Sequence, residues 1–572
     1  MLLEGCGLPD AWKGAKQWRV LETGFGLGLN FLATWRAWKQ DPSRPRMLHF
    51  VAIAADPAAA SELLAGAAPY PDLFPLAGAL ADRWFGLVPG VHRLSFEHGQ
   101  VLLTVHVRGV EETLRREPFT ADSVFLEGCA SAGDLQTWTL SLLKTVARHC
   151  RRGSSLATRC LTAQLRRDLK QCGFDVSPDE GPHSGRECGR ASYSPAWEPK
   201  VRGRTMSVKP GRCIVVGAGL AGSAVAASLA RRGWEVTVLD AAERPAAGAS
   251  GLPVGLLVPH TSRDDNLLSR VSRCGVRLTL AEARDLLDEA LDWSPSGVLE
   301  RLVQPELAGP VPGAVEGWSR PVDDAIHPSI HATGLWHEQA AWIRPASLVR
   351  AWLAHAGIAW RGDARVARIE RDGGGWRVGD ASGALVAEGD LVVVATAHAT
   401  ATLVDRELSL HPVRGQITWG QRLGNQAMPA FPVNGDGYFV PDFRLHGQRV
   451  WACGATFDRD DTDPTVRDRD QQGNLARLRR LLPSVAAQVA GDIEAGRAGA
   501  WVGIRCASDT RRPLVGEVDA GLWISTAMGS RGLTFAALCA EVLAARLHDE
   551  PLPMEHRLVE ALTYHGRTAS AS

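Results

Sequence analysis

The sequence predicts an α/β protein of two Rossmann-like domains in series, the second interrupted by an inserted antiparallel α+β domain. Three observations predict it. A strand, a Gly-rich turn and a helix follow one another near residue 20 and again near residue 215. Strand-rich segments fill about 365–395 and 411–455. A last strand, Leu522–Thr526, leads through Gly529-Ser530-Arg531-Gly532 into a closing helix, as if the chain returned to the second domain at its end. The 572 residues allow about three or four domains.

Composition bounds the function. Lys+Arg and Asp+Glu are both 63, so a grossly basic nucleic-acid binder is excluded while a local basic patch is not. No apolar run approaches the roughly 20 residues that span a bilayer, and Met1-Leu2-Leu3-Glu4-Gly5 does not read as a signal peptide. The 11 cysteines form no C-x-x-C and no zinc-finger spacing. We expect no metal site, and thiols buried as small apolar residues in a reducing cytoplasm, with Cys129 the one inside a motif.

The first opening is the strand Trp18–Glu22, the turn Thr23-Gly24-Phe25-Gly26-Leu27-Gly28, and a helix from Leu29 that includes Asn30. Further strands are expected at His49–Ile53, Val101–Val105 and Ser123–Leu126, and a helix over about Leu135–Cys150. From Lys144 to Lys170 eight basic residues meet the single acid Asp168, which suits either a solvated face or a surface that tracks RNA phosphates. Pro, Gly, Ser and charge dominate 175–211, which reads as a linker.

The second opening is Cys213–Val216 followed by Gly217-x-Gly219-x-x-Gly222 and an Ala-rich helix. The next strand, Glu235–Leu239, ends in Asp240, 18 residues beyond the third glycine. Glycines allow close backbone approach to a pyrophosphate, the helix N-terminus supplies N–H donors, and the acid accepts from ribose hydroxyls. Small residues follow at Ala249-Ser250-Gly251, and Gly529-Ser530-Arg531-Gly532-Leu533 opens the last helix. Two such contacts at opposite ends of a stretch of about 300 residues suit a buried flavin better than an exchangeable nicotinamide. A helical segment is expected at about 265–292.

On these motifs, with His411-Pro-Val-Arg-Gly-Gln416, Gly437-Tyr-Phe-Val-Pro441 and Gly503-Ile-Arg505, residues 212–562 resemble the D-amino-acid oxidase and glycine oxidase superfamily. The resemblance implies bound FAD, oxidation of an amino-acid C–N bond, Arg505 as the substrate-carboxylate anchor and Tyr438 as a second contact. Glu22-Thr-Gly24-Phe-Gly26-Leu-Gly28-Leu-Asn30 resembles motif I of class I S-adenosylmethionine-dependent methyltransferases.

The order of the two halves is similar to that of the MnmC family, the bifunctional tRNA 5-methylaminomethyl-2-thiouridine biosynthesis proteins. Asp264-Asp-Asn266 and Asn474 also look like this family. That resemblance implies a class I methyltransferase-like domain over 1–190, a linker over 191–211, and an FAD-dependent oxidoreductase over 212–562. Within the last, the FAD-binding parts are about 212–295, 341–400 and 505–562, and the substrate parts about 296–340 and 401–504. It implies a tRNA partner, FAD and S-adenosylmethionine as cofactors, and removal of a carboxymethyl group from wobble uridine followed by methylation of the amine. An oxidase-only enzyme with an RNA-binding N-terminal domain, and a free glycine or sarcosine oxidase, remain open at this point.

The sequence departs from the family in the first half. Ala54 stands where the family has a Glu for the cofactor ribose, with Asp56 two residues on, and Gly109-Val110 replaces Gly-Asp. Leu126-Glu127-Gly128-Cys129-Ala130-Ser131 replaces Leu-Asp-Gly-Phe-Ala-Pro, leaving Glu127 as the candidate catalytic acid, and Gly185-Arg-Glu-Cys188 only faintly matches a terminal signature.

Overall fold

A computed structural model describes residues 2–127, 138–177, 189–196, 207–301, 314–322 and 334–564. Cys129 and the 185–188 stretch lie outside the described residues. The chain forms two compact units, one of residues 1–209 with 544–559, the other of 210–543 with 560–572.

The first unit is built on an eight-stranded sheet. In spatial order its strands are Gly90–Phe96, Val101–Val107, Met47–Ile53, Gln17–Glu22, Ala121–Leu126, Cys150–Thr158, Gly189–Tyr193 and Phe174–Ser177. The inner five pair in parallel and the edges antiparallel. Met47–Ile53, Val101–Val107 and Ala121–Leu126 are buried from end to end, as a sheet covered on both faces requires.

Two readings are corrected here. The expected helix reaches only Leu140–Arg148, because Cys150 already starts the strand Cys150–Thr158. The stretch read as a linker holds two strands of the sheet, Phe174–Ser177 and Gly189–Tyr193. Each buries alternate residues only, Phe174 and Val176 in one and Gly189, Ala191 and Tyr193 in the other, a signal too brief to stand out among polar neighbours.

Residues 544–559, which lie within the flavin domain that the sequence extends to 562, group with this unit, while 560–572 group with the second. Met554 and Val559 are buried, and the unit's own cations meet the segment. Arg19 Nη1 donates to the Asp549 carbonyl at 2.7 Å, Arg93 Nη2 to that of Pro551 at 2.6 Å, and Arg108 pairs with Glu555.

The second unit carries a six-stranded sheet in the order Ile358–Arg361, Glu235–Leu239, Arg212–Val216, Leu391–Val394, Leu522–Thr526, Leu514–Asp519, parallel but for the last strand. The final strand thus returns beside the first half of the domain, as the sequence predicts. The helix expected at 265–292 is Leu267–Leu286, capped by Asn266, whose Oδ1 accepts from the Ser269 N–H.

A nine-stranded, mostly antiparallel sheet forms the inserted domain, from 298–301, 319–321 and 334–337 to strands between 410 and 508. Its long strands, Leu410–Gln421 and Gly499–Ser508, pair over ten residues. The helix Asp468–Leu481 buries Leu475, Leu478 and Leu481 in one cluster with Phe439 and Trp451 of this sheet.

Candidate functional site

In the first unit the glycine loop closes over a carboxylate cluster. Gly26 and Gly28 take positive φ of 52° and 72°, so the turn into the helix Leu29–Gln40 favours glycine at both positions. Glu22, the last residue of the central strand, is fully buried. Its Oε1 accepts from Asn30 Nδ2 at 2.6 Å, and its Oε2 has no hydrogen-bond partner. Burial pushes its carboxyl well above the usual range, with the charge of Glu127 adding to the effect. Glu127 reaches the same spot. Its Oε1 lies 3.4 Å from Asn30 Nδ2 and 2.9 Å from Arg159 Nε, and its Cβ is 3.3 Å from where a side chain on Gly24 would begin.

The five residues expected to hold S-adenosylmethionine therefore sit on one loop and its flanks, with Glu127 facing them. An orphaned buried carboxyl oxygen beside an open-backboned loop fits a cationic cofactor. Ala54 is buried in the core and Asp56 is exposed. Val110 packs inward at the start of the helix Val110–Arg116.

The second unit holds a cavity of about 1410 Å³ that is lined by both expected cofactor loops. That exceeds the roughly 300–1,000 Å³ of an ordinary small-molecule pocket. Gly217, Gly219, Asp240, Ala249 and Ser250 line it, as do Gly529, Ser530, Arg531, Gly532 and Leu533. Gly217 has φ of 107°, and a Cβ there would meet the Ala395 carbonyl oxygen at 2.5 Å.

Gly222 and Gly251, also expected to hold FAD, stand just behind this lining. A Cβ on Gly222 would stand 1.8 Å from the Gly217 carbonyl oxygen and one on Gly251 2.7 Å from that of Ala246. Both glycines let the chain pack on itself. Asp240 spends its carboxylate partly on the loop, with Oδ2 accepting from Ala218 N–H at 2.7 Å and Oδ1 from Ala242 N–H at 2.9 Å. Ser250 Oγ accepts from the Leu220 N–H at 2.9 Å, bracing the helix that follows the glycines. A long, glycine-walled cavity with an acid at the end of the second strand fits FAD.

One cross-strand row of the inserted sheet lines the same cavity. Glu300 pairs with Asn434, Asn434 with Tyr438, Tyr438 with Gly454, Gly454 with Ile417, and Ile417 with Trp501. All six are lining residues. Four residues along from Trp501 on its strand, Arg505 enters the cavity too.

The guanidinium of Arg505 lies across Gly415, within 2.3 Å of where a Cβ on that glycine would be, and Nη1 donates to the Thr456 carbonyl at 3.2 Å. Burial lowers the Arg505 pKa from its ordinary value, Tyr438 opposing the shift. Tyr438 donates to the Val254 carbonyl at 3.3 Å, and burial raises its phenol well above the usual range. A largely desolvated guanidinium with one backbone acceptor is a receptor for a carboxylate.

Sequence reasoning missed Glu300, His260, Thr456 and Phe457. Glu300 Oε2 lies 2.8 Å from Nε2 of the buried His337, whose Nδ1 lies 2.7 Å from Ser319 Oγ. No short motif marks these residues: Glu300 is brought to the cavity by strand register, and His260, Thr456 and Phe457 by the segments that follow strands Gly255–Leu257 and Gln448–Gly454. Gly415 and Asn474 sat inside recognised motifs, but their jobs were not legible. Asn474 Nδ2 donates to the Gln416 carbonyl at 3.0 Å from the opposite face of the sheet. Among the described residues no group of three or more His, Cys, Asp and Glu is arranged to hold a metal ion, and no helix is long and apolar enough to cross a membrane.

Comparison with known proteins gives two family matches. Residues 212–546 match the model of FAD dependent oxidoreductases, and residues 71–194 that of an S-adenosyl-L-methionine-dependent methyltransferase. The chain is 49% identical over 588 residues to a tRNA 5-methylaminomethyl-2-thiouridine biosynthesis bifunctional protein MnmC of Polaromonas naphthalenivorans (strain CJ2), covering 98% of this chain and 92% of that one. It is 47% identical over 597 residues to the protein of the same description from Polaromonas sp. (strain JS666 / ATCC BAA-500), covering 98% and 93%.

Proposed function

Since the chain belongs to the family of MnmC bifunctional proteins, we propose that it converts the carboxymethylaminomethyl group of tRNA wobble uridine into methylaminomethyl in two steps. The observation that carries the reading is the meeting of Arg505, Tyr438 and both flavin-type loops at one cavity, in a chain that also bears a methyltransferase glycine loop.

In the first step the substrate is an N-substituted glycine. Arg505 binds its carboxylate through the guanidinium fork, and Tyr438 borders the same position. Bound FAD supplies a hydride acceptor. The glycine methylene carbon loses a hydride and the amine nitrogen a proton, leaving a C=N bond. Water adds to that bond and breaks it, releasing glyoxylate and leaving the aminomethyl group on the base. The residues of this chain hold the carboxylate end and fix which C–N bond is oxidised.

In the second step S-adenosylmethionine supplies an electrophilic methyl group. Glu127, held by Asn30 and Arg159, accepts a hydrogen bond from the amine and takes up the proton that nitrogen sheds on methylation. Glu22 meets the positive charge of the cofactor. The same reading makes the protein cytoplasmic, and the exposed basic residues Lys144, Arg148, Arg152, Arg167 and Lys170 phosphate contacts for the tRNA.

The test is mass spectrometry of uridine-34 nucleosides after incubation with carboxymethylaminomethyl-tRNA, with and without S-adenosylmethionine. Aminomethyl-uridine is expected without it and methylaminomethyl-uridine with it. Aminomethyl-uridine under both conditions would leave an oxidase only, and unchanged nucleoside would refute the reading.

A further inference from the structure

The cavity wall carries an aromatic ring that C–N oxidation does not need. Phe457 is 51% exposed, the one residue among the described large hydrophobics that both stands this open and lines the cavity. Exposed apolar residues are ordinary when scattered over a surface. This one directly follows Thr456, whose carbonyl holds Arg505, and its ring centroid lies 5.7 Å from the Arg505 guanidinium carbon. From the half-buried Arg505 to the open ring, the wall therefore runs from the carboxylate anchor toward solvent.

A substrate held at Arg505 by its carboxylate must send its other end out of the cavity, because that end is a polynucleotide. The first rigid group along it is a flat pyrimidine, set off from the carboxylate carbon by a –CH2–NH–CH2– arm of about 5 Å. That reach is of the same order as the offset between guanidinium and ring. An aromatic face at that place offers the interaction by which proteins commonly hold an unstacked RNA base.

We propose that Phe457 is the stacking platform for the flipped wobble base in the oxidase site. The assignment rests on the tRNA reading above and adds to it the residue that selects a nucleobase-bearing glycine over a free one. The base lies on the ring while Arg505 holds the carboxylate, so the ring contributes to binding of the nucleobase-bearing substrate and Arg505 to the placing of the reacting bond.

The experiment uses the full-length, FAD-loaded chain and its F457A, F457L and F457Y variants, with carboxymethylaminomethyl-tRNA as substrate and nucleoside mass spectrometry as readout. F457L keeps apolar bulk without an aromatic face, and F457Y keeps the face. F457A and F457L are expected to raise KM for the tRNA about 10- to 100-fold, with kcat within about twofold of wild type and flavin content unchanged, while F457Y stays near wild type. A wild-type KM in F457A or F457L, a F457Y variant as impaired as F457A, or loss of flavin from F457A would each overturn the platform and leave the tRNA reading intact. A wild-type enzyme that leaves the tRNA nucleoside unchanged would overturn the reading and the platform together.

Discussion

Glu22 shows what a single residue can reveal before and after folding. Its place ahead of the glycine loop was legible as a motif position. Its buried oxygen without a partner was not, because that depends on Asn30 and Glu127 converging from elsewhere. The carboxyl titrates above the usual range because burial disfavours its charged form. A cationic cofactor favours that charged form. Affinity for S-adenosylmethionine is therefore expected to rise as pH rises through the raised pKa, with a proton released on binding. Calorimetry in two buffers of different ionisation enthalpy measures that proton. In E22Q both the pH dependence and the proton release are expected to vanish; their persistence would place the titrating group elsewhere.

At the scale of the element, the strand Leu410–Gln421 explains a whole motif. Successive residues point to opposite faces. Arg414 and Gln416 point toward the helix Asp468–Leu481, where Arg414 pairs with Asp470 and Gln416 Nε2 donates to the Arg467 carbonyl at 2.9 Å. Gly415, between them, faces the cavity and makes room for the Arg505 guanidinium.

A G415A variant is thus expected to displace Arg505 and cut kcat/KM for the oxidation by roughly 100-fold. Flavin content should be unchanged, because the cofactor loops lie on other elements. Steady-state kinetics and flavin absorbance together check this, and unchanged kinetics would refute the packing argument. The motif was visible in sequence because its residues are contiguous. The division of labour between its faces was not, since it needs the partner strand and helix. For the same reason the glycine loops, which carry a long local signature, were legible. The two short strands near 175 and 190 were not, because they become strands only by pairing with Cys150–Thr158 and with each other.

For the whole molecule, the balance of 63 basic and 63 acidic residues hid how the charges are spent. Some of the N-terminal cations serve the fold, Arg151 pairing with the buried Asp122 and Arg159 with Glu127. Others are closed by the segment 544–559. Glu555, with its side chain 3% exposed, pairs with Arg108, and Glu117 Oε2 accepts from the His556 N–H at 2.9 Å. Truncating one partner of such a buried pair costs about 3–5 kcal/mol. E555A is accordingly expected to lower the stability of the first unit by about that amount in urea denaturation followed by its tryptophans. A change below about 0.5 kcal/mol would show the pair to be incidental. Sequence alone does not announce this, because charges this far apart along a chain share no local pattern.

That arrangement also sets a clock. The carbonyl of Asp549 that receives Arg19 lies 530 residues after it in the chain. At 5–20 residues per second the interval is roughly 30–100 s. For that time the first unit's sheet can form while Arg19, Arg93 and Arg108 still lack their partners on the 549–555 segment. Its last packing step therefore waits for a segment made more than 400 residues after the arginines it closes, whereas its cofactor loop is made among those arginines.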